Sequence, residues 1–196
     1  MSVPSGRPAA FSRPLYLLSA TNFFIFMGAG AQQAYLVPYL GRVTGWPSLR
    51  CATVVAGVYG TMMVFRVANL YLFPGWPDRR FTVAGSLAYL FFTLAMFATA
   101  YLQSYAFALA AACIWGAGAA MMWTGTAMQT LALADAAGGR HGTGIGILYA
   151  STHAGWLAGV VLLGQVYQAL PAEQAQYMYL VAAAATAVGN ALACRL

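Results

Sequence analysis

Polar side chains are scarce in this chain, and the chemistry open to it rests on those that interrupt long apolar stretches. His153 stands inside one such stretch, two residues after Ser151 and three before Trp156. An imidazole titrates near physiological pH and can carry a proton. It can also ligate the metal of a tetrapyrrole, or donate one hydrogen bond to a neighbouring helix. Arg66 interrupts another stretch, with Asn69 three residues on and on the same helix face. A guanidinium there suits three roles: snorkelling to lipid headgroups, pairing with Asp78 or Asp135 at helix ends, or binding an anionic substrate or headgroup. Asn22, Gln32, Gln33 and Gln129 can line a solute path or bond helices together, and Gln165 and Gln168 invite the second role. Trp123 and Trp156 fall deeper than an interfacial belt and can wall a cavity or fill the core. Trp46 and Trp76 suit anchoring at the membrane surface.

What is missing is equally informative. The three acidic residues, Asp78, Asp135 and Glu173, all fall in loops or at the ends of apolar runs. Carriers driven by protons or sodium usually keep a carboxylate inside the membrane. This pattern instead fits facilitated passage, coupling through His153, or a coupling group on a partner. No GxSxG, Walker or HExxH motif occurs, and an enzyme is not expected. Gly142-Thr143-Gly144-Ile145-Gly146 imitates a phosphate loop but merges into an apolar run. Cys51, Cys113 and Cys194 have no metal-ligand spacing and read as packing residues. No metal and no cofactor are expected, a tetrapyrrole at His153 being the alternative.

The elements that position these groups follow from composition. Of 196 residues, 62% are apolar and 6% charged, against about 25% charged in soluble domains. Soluble enzymes, disordered tails and nucleic-acid-binding modules are thereby excluded. All nine basic residues are arginines, scattered singly or as one pair. A helix needs about 20 apolar residues to cross a bilayer, and six segments qualify: Leu15–Leu40, Cys51–Phe73, Phe81–Leu102, Ala106–Ala134, Gly142–Leu170 and Tyr177–Cys194. Their links are short, which favours antiparallel helices packed side by side. Residues 1–14 read as a basic leader carrying Arg7 and Arg13, and 15–196 as one all-α bundle. A cytoplasmic N-terminus puts Arg7, Arg13, Arg79, Arg80, Arg140 and Arg195 inside and only Arg42 and Arg50 outside. Positive charge stays inside, so both termini are expected in the cytoplasm.

Six spans divide into units 15–102 and 106–194. Gly28-Ala29-Gly30-Ala31 recurs as Gly116-Ala117-Gly118-Ala119, and Tyr59-Gly60-Thr61 loosely as Tyr149-Ala150-Ser151, at offsets of 88 and 90 residues. Three-span repeats enter from opposite sides, so such units would be inverted. Chance matches in so Gly- and Ala-rich a chain are an open alternative. Gly142 with Gly146 and Gly155 with Gly159 form GxxxG pairs that let helices approach closely. They mark span five as a central helix.

This architecture resembles the amino-terminal half of a major facilitator superfamily (MFS) transporter. Gly75-Trp76-Pro77-Asp78-Arg79-Arg80 resembles the superfamily's loop between spans two and three, one residue shorter and without its second glycine. The resemblance implies that Gly75, Asp78, Arg79 and Arg80 latch helices at the cytoplasmic face, the alternative being topological anchoring alone. Gly146, Gly155, Gly159 and Gly164 fit the superfamily's antiporter motif, with Val160 and Leu163 replacing its proline and one glycine. Asn22–Phe26 with Gln32-Gln33, and Gly118–Gly125, are similar to segments of an ion-channel-regulator-like branch, where membership does not guarantee transport. The superfamily has twelve spans with substrate between two halves. One half makes one wall, so the resemblance implies a half-size or truncated transporter component in the bacterial inner membrane. It would pass a small solute between spans one, two, four and five, completed by a homodimer mate or second six-helix chain. The alternative is an accessory, scaffold or assembly subunit of a larger membrane complex.

Overall fold

The computed structural model describes residues 13–196, so most of the leader, Arg7 included, lies outside the described residues. Every regular element among them is helical. Five helices are long and apolar enough to cross a membrane: Arg13–Thr44, Ser48–Leu72, Asp78–Leu102, Tyr105–Ala136 and His141–Ala169. Their ends agree with the sequence reading to about a turn. The first is irregular and divides into α1 (Arg13–Ile25), a π-helical turn (Phe26–Gly30), a 3-10 stretch (Ala31–Tyr35) and α2 (Leu36–Thr44). The others are α3 to α6. A 3-10 stretch, Ala172–Tyr177, then runs into α7, Met178–Ala193. At 16 residues α7 spans about 24 Å, less than the roughly 30 Å hydrocarbon core of a bilayer.

Local chemistry sets these limits. Arg13 and Pro14, assigned above to the leader, open α1, since a helix's first turn has no use for the proline's missing N–H. Pro47 and Pro77, both extended, precede α3 and α4. Asp78 puts a negative charge in the first turn of α4, where the helix dipole favours it. The Ser104 side chain caps α5 by accepting from the Phe107 N–H. Gly45 ends α2 in the left-handed region at φ +70°, a conformation that disfavours side chains.

Helix pairing follows the side-by-side order expected from short links at α4–α5 and departs from it elsewhere. α5 packs most extensively, against α4 and α3, while α1 packs against α7 and α6, and α4 against α7. Spans consecutive in sequence are not the rule: α3 leans on α5, and α6 on α1. Burial follows. Only 17% of α3's most apolar window and 22% of α6's lie inside the protein, against 56% for the first helix and for α5. Span five is therefore an outer helix, although one of its faces is packed tightly.

That face is glycine. A Cβ at Gly155 would strike the Phe23 carbonyl, and one at Gly159 the Met27 carbonyl. Opposite, a Cβ at Gly28 would strike the Ala182 carbonyl and the Thr186 hydroxyl of α7. The irregular first helix is thus held between two close neighbours. Its π turn is tied to one of them, because the Ala29 N–H donates to Thr186 Oγ1 at 2.9 Å. Water cannot satisfy such a group inside a bilayer. Thr186→Val should cost about 1–3 kcal/mol, read as a lower thermal midpoint, and Thr186→Ser should restore most of it. Equal midpoints for Val and wild type would show that the bond carries no stability. Farther along, Trp115 stacks on Phe92 at 4.2 Å, and Tyr39 donates to the Met96 carbonyl at 2.8 Å.

Candidate functional site

The π turn packs chiefly against α6 and α7, and its first residue, Phe26, sets its ring 5.3 Å from Trp123 of α5 and 5.8 Å from Tyr89 of α4. Trp123 in turn stacks on Tyr149 of α6 at 5.8 Å, and Tyr149 on His153 at 6.2 Å. Two open cavities flank this row of rings. One, about 280 Å³, is lined by Phe26, Trp123, Thr152, His153 and Trp156. The other, about 270 Å³, is lined by Arg66, Trp123, Thr124, Ala127 and Tyr149. They share Trp123 and form a groove to which the first helix, α3, α5 and α6 all contribute.

Among the described residues, Arg66 is the one formally charged residue that lines these two cavities. It is exposed and pairs with no carboxylate among the described residues. Neither pairing considered for it occurs: Asp135 bonds His141 at 2.5 Å, and the Asp78 backbone carbonyl accepts from Gln129. An unpaired guanidinium beside flat aromatic walls suits an anion with an apolar body. His153 is exposed at the other end of the ring row. Among the described residues no cluster of His, Cys, Asp or Glu could hold a metal ion.

The structure sorts the other polar residues by helical phase. Asn69, three positions from Arg66, is turned about 60° around the helix and is 1% exposed, with its amide unpartnered. The two do not share an environment. Asn22 is buried and donates to the Leu18 carbonyl at 3.0 Å. Gln32 is buried and donates to Thr93 Oγ1 of α4 at 3.1 Å. Gln129 ties α5 to α4 through Thr82 Oγ1 at 2.5 Å. Gln33 is half-buried and accepts from Tyr59 at 3.5 Å, away from the groove. Arg66, Trp123, His153 and Trp156 therefore come together, while Asn22, Gln32, Gln33, Asn69 and Gln129 stand apart from them.

The groove also holds Phe26, Thr124, Ala127, Tyr149 and Thr152, which the sequence reading did not assign to it. Tyr149, His153 and Trp156 recur at spacings of four and three, one face of α6, and that spacing was the available signal.

At the loop before α4, Gly75 takes φ +79°. Arg79 donates to the Cys194 carbonyl at 2.6 Å, joining the start of α4 to the end of α7, while Arg80 stays exposed. Among the packing glycines, Gly155 and Gly159 meet the first helix as described. Gly164 lies under Tyr35, whose hydroxyl donates to the Val160 carbonyl at 2.6 Å. Gly146 is exposed, with no atom of the described residues within 4 Å of its Cβ position. The chain matches no protein-family model and no curated protein sequence.

Proposed function

We propose that this chain is a half-size component of a major-facilitator-type carrier, working only when a second six-helix unit closes its groove. The reading takes α7 with its 3-10 lead as the sixth span. It takes both termini as cytoplasmic, in a bacterial inner membrane. The observation that carries it is the groove around Trp123, to which spans one, two, four and five contribute and whose flanking helices, α3 and α6, are the least covered. The pairings support a 3+3 arrangement. Exchanging the two units turns α4–α5 into α7–α1, and α3–α5 into α6–α1, while α4–α7 maps on itself. All these pairs are present. The solute this chemistry favours is a small organic anion with an apolar body, received by Arg66 and the rings of Phe26, Trp123, Tyr149 and Trp156.

An accessory role draws on a different observation. Gln32–Thr93 and Gln129–Thr82 satisfy polar groups between helices, as a scaffold would require. Extraction of the native assembly into lipid nanodiscs, with its mass measured, separates the two. The carrier reading expects two six-helix units, alike or different, with cross-links between cysteines placed at Met63 and Leu157, exposed on α3 and α6. A lone monomer, or a stable place in a larger complex with the groove filled, would overturn it.

A further inference from the structure

A second cavity, separate in its lining from the groove, is larger than either of the groove's two parts. It measures about 600 Å³ and runs along α4 beside the end of α7, lined chiefly by Trp76, Arg79, Arg80, Val83, Leu87 and Cys194. Positions 80, 83 and 87 lie at helical spacing, so one side of the cavity is a single face of α4, with Trp76 of the preceding loop beside it. Two guanidiniums line it at the start of α4, and Val83, Ala84 and Leu87 give it an aliphatic stretch farther along that helix. Among the described residues no carboxylate side chain lines it. Asp78, the neighbour in sequence, is half-buried outside the lining. Arg79 is held by the Cys194 carbonyl, while Arg80 is exposed with no hydrogen-bond or ion-pair partner among the described residues. Trp76 packs on Phe73 at 4.5 Å, which fixes its ring beside the arginines.

Length selects the occupant. From Arg79 to Leu87 is about 12 Å along the helix, close to the ~15 Å hydrocarbon depth of one leaflet. Leu87 is 51% exposed, so the cavity opens sideways to the lipid phase. Arg13 and Arg195 line a smaller cavity nearby at the same end of the bundle, adding positive charge. We propose that this cavity is a binding site for one anionic phospholipid, its phosphate on Arg79 and Arg80 and an acyl chain along Val83 and Leu87. Basic pockets between membrane helices recognise such headgroups. The proposal needs only that the chain spans a membrane; it stands or falls independently of transport.

Native mass spectrometry of the delipidated full chain tests it, with dioleoyl phosphatidylglycerol, dioleoyl phosphatidylcholine and glycerol 3-phosphate as probes. Phosphatidylglycerol should be retained about fivefold or more over phosphatidylcholine, and glycerol 3-phosphate should not displace it. Arg80→Gln should lose about fivefold in phosphatidylglycerol affinity with an unchanged lipid-free melting temperature. Leu87→Trp, which fills the lipid-facing end, should weaken both phospholipids. Equal retention of the two phospholipids, or wild-type affinity in both variants, would refute the proposal. So would full displacement by glycerol 3-phosphate, which would mark a phosphate site without a lipid chain.

Discussion

Gly159→Leu should leave the chain without a stable bundle, eluting as aggregate and losing its thermal transition, while Gly146→Leu on the same helix behaves as wild type. The two glycines sit on one helix and differ only in what faces them. A Cβ at Gly159 meets the Met27 carbonyl and the Ala31 methyl; at Gly146 it meets nothing among the described residues. Backbone cannot step aside as a side chain can, and Met27 belongs to the π turn that Thr186 holds from the other side. Overpacking typically costs about 1–3 kcal/mol where side chains yield, and a clash with backbone exceeds that range. Gly155→Leu should behave alike, because its Cβ would meet the Phe23 carbonyl. Fluorescence-detected gel filtration and a melting curve suffice. A monodisperse Gly159→Leu protein with the midpoint of Gly146→Leu would mean that α1 and α6 do not approach through these glycines.

That contrast marks where the sequence was readable and where it was not. The long helices were legible because a bilayer sets one length and forbids unsatisfied backbone, so charges, prolines and apolar runs bound each of them. The break in the first helix was hidden. Gly28-Ala29-Gly30-Ala31 signals close packing, but the π turn exists beside a hydroxyl 157 residues away in sequence. GxxxG is likewise a necessary pattern and not a sufficient one: Gly142-x3-Gly146 fits it and faces no helix. For the groove, residue type identified Arg66, Trp123, His153 and Trp156. Phase then separated Asn69 from Arg66, and phase is set by which helices lean on α3. No local rule says that α5 does so in preference to α4. Tyr149 escaped notice because a tyrosine in an apolar run looks ordinary until its ring is seen between Trp123 and His153.

Arg66→Gln should abolish most anion flux in proteoliposomes that contain the complete assembly, by about tenfold to a hundredfold. That range is the loss of one charge-assisted contact, about 1.5–3 kcal/mol. It applies because, among the described residues, the lining offers no other formal charge to receive the anion. The probes are radiolabelled aromatic and aliphatic carboxylates too polar to leak through protein-free vesicles, with a neutral amide of each as control. Gln is shorter and uncharged but keeps a polar head that can donate hydrogen bonds, so the amide's own uptake should fall far less than the carboxylate's. His153→Ala separates two roles for the imidazole. If it carries a proton, the variant loses the response of flux to an imposed pH gradient while retaining exchange of labelled for unlabelled anion. If it only walls the groove, both decline together. Trp123→Ala should raise KM more than it lowers the maximal rate, because that ring borders both cavities without bearing charge. Unchanged carboxylate flux in Arg66→Gln, or no carboxylate flux in the wild type while a neutral solute passes, would remove the anion from the mechanism. The flux must also disappear when the assembly is diluted to single six-helix units, since one open wall encloses nothing from lipid.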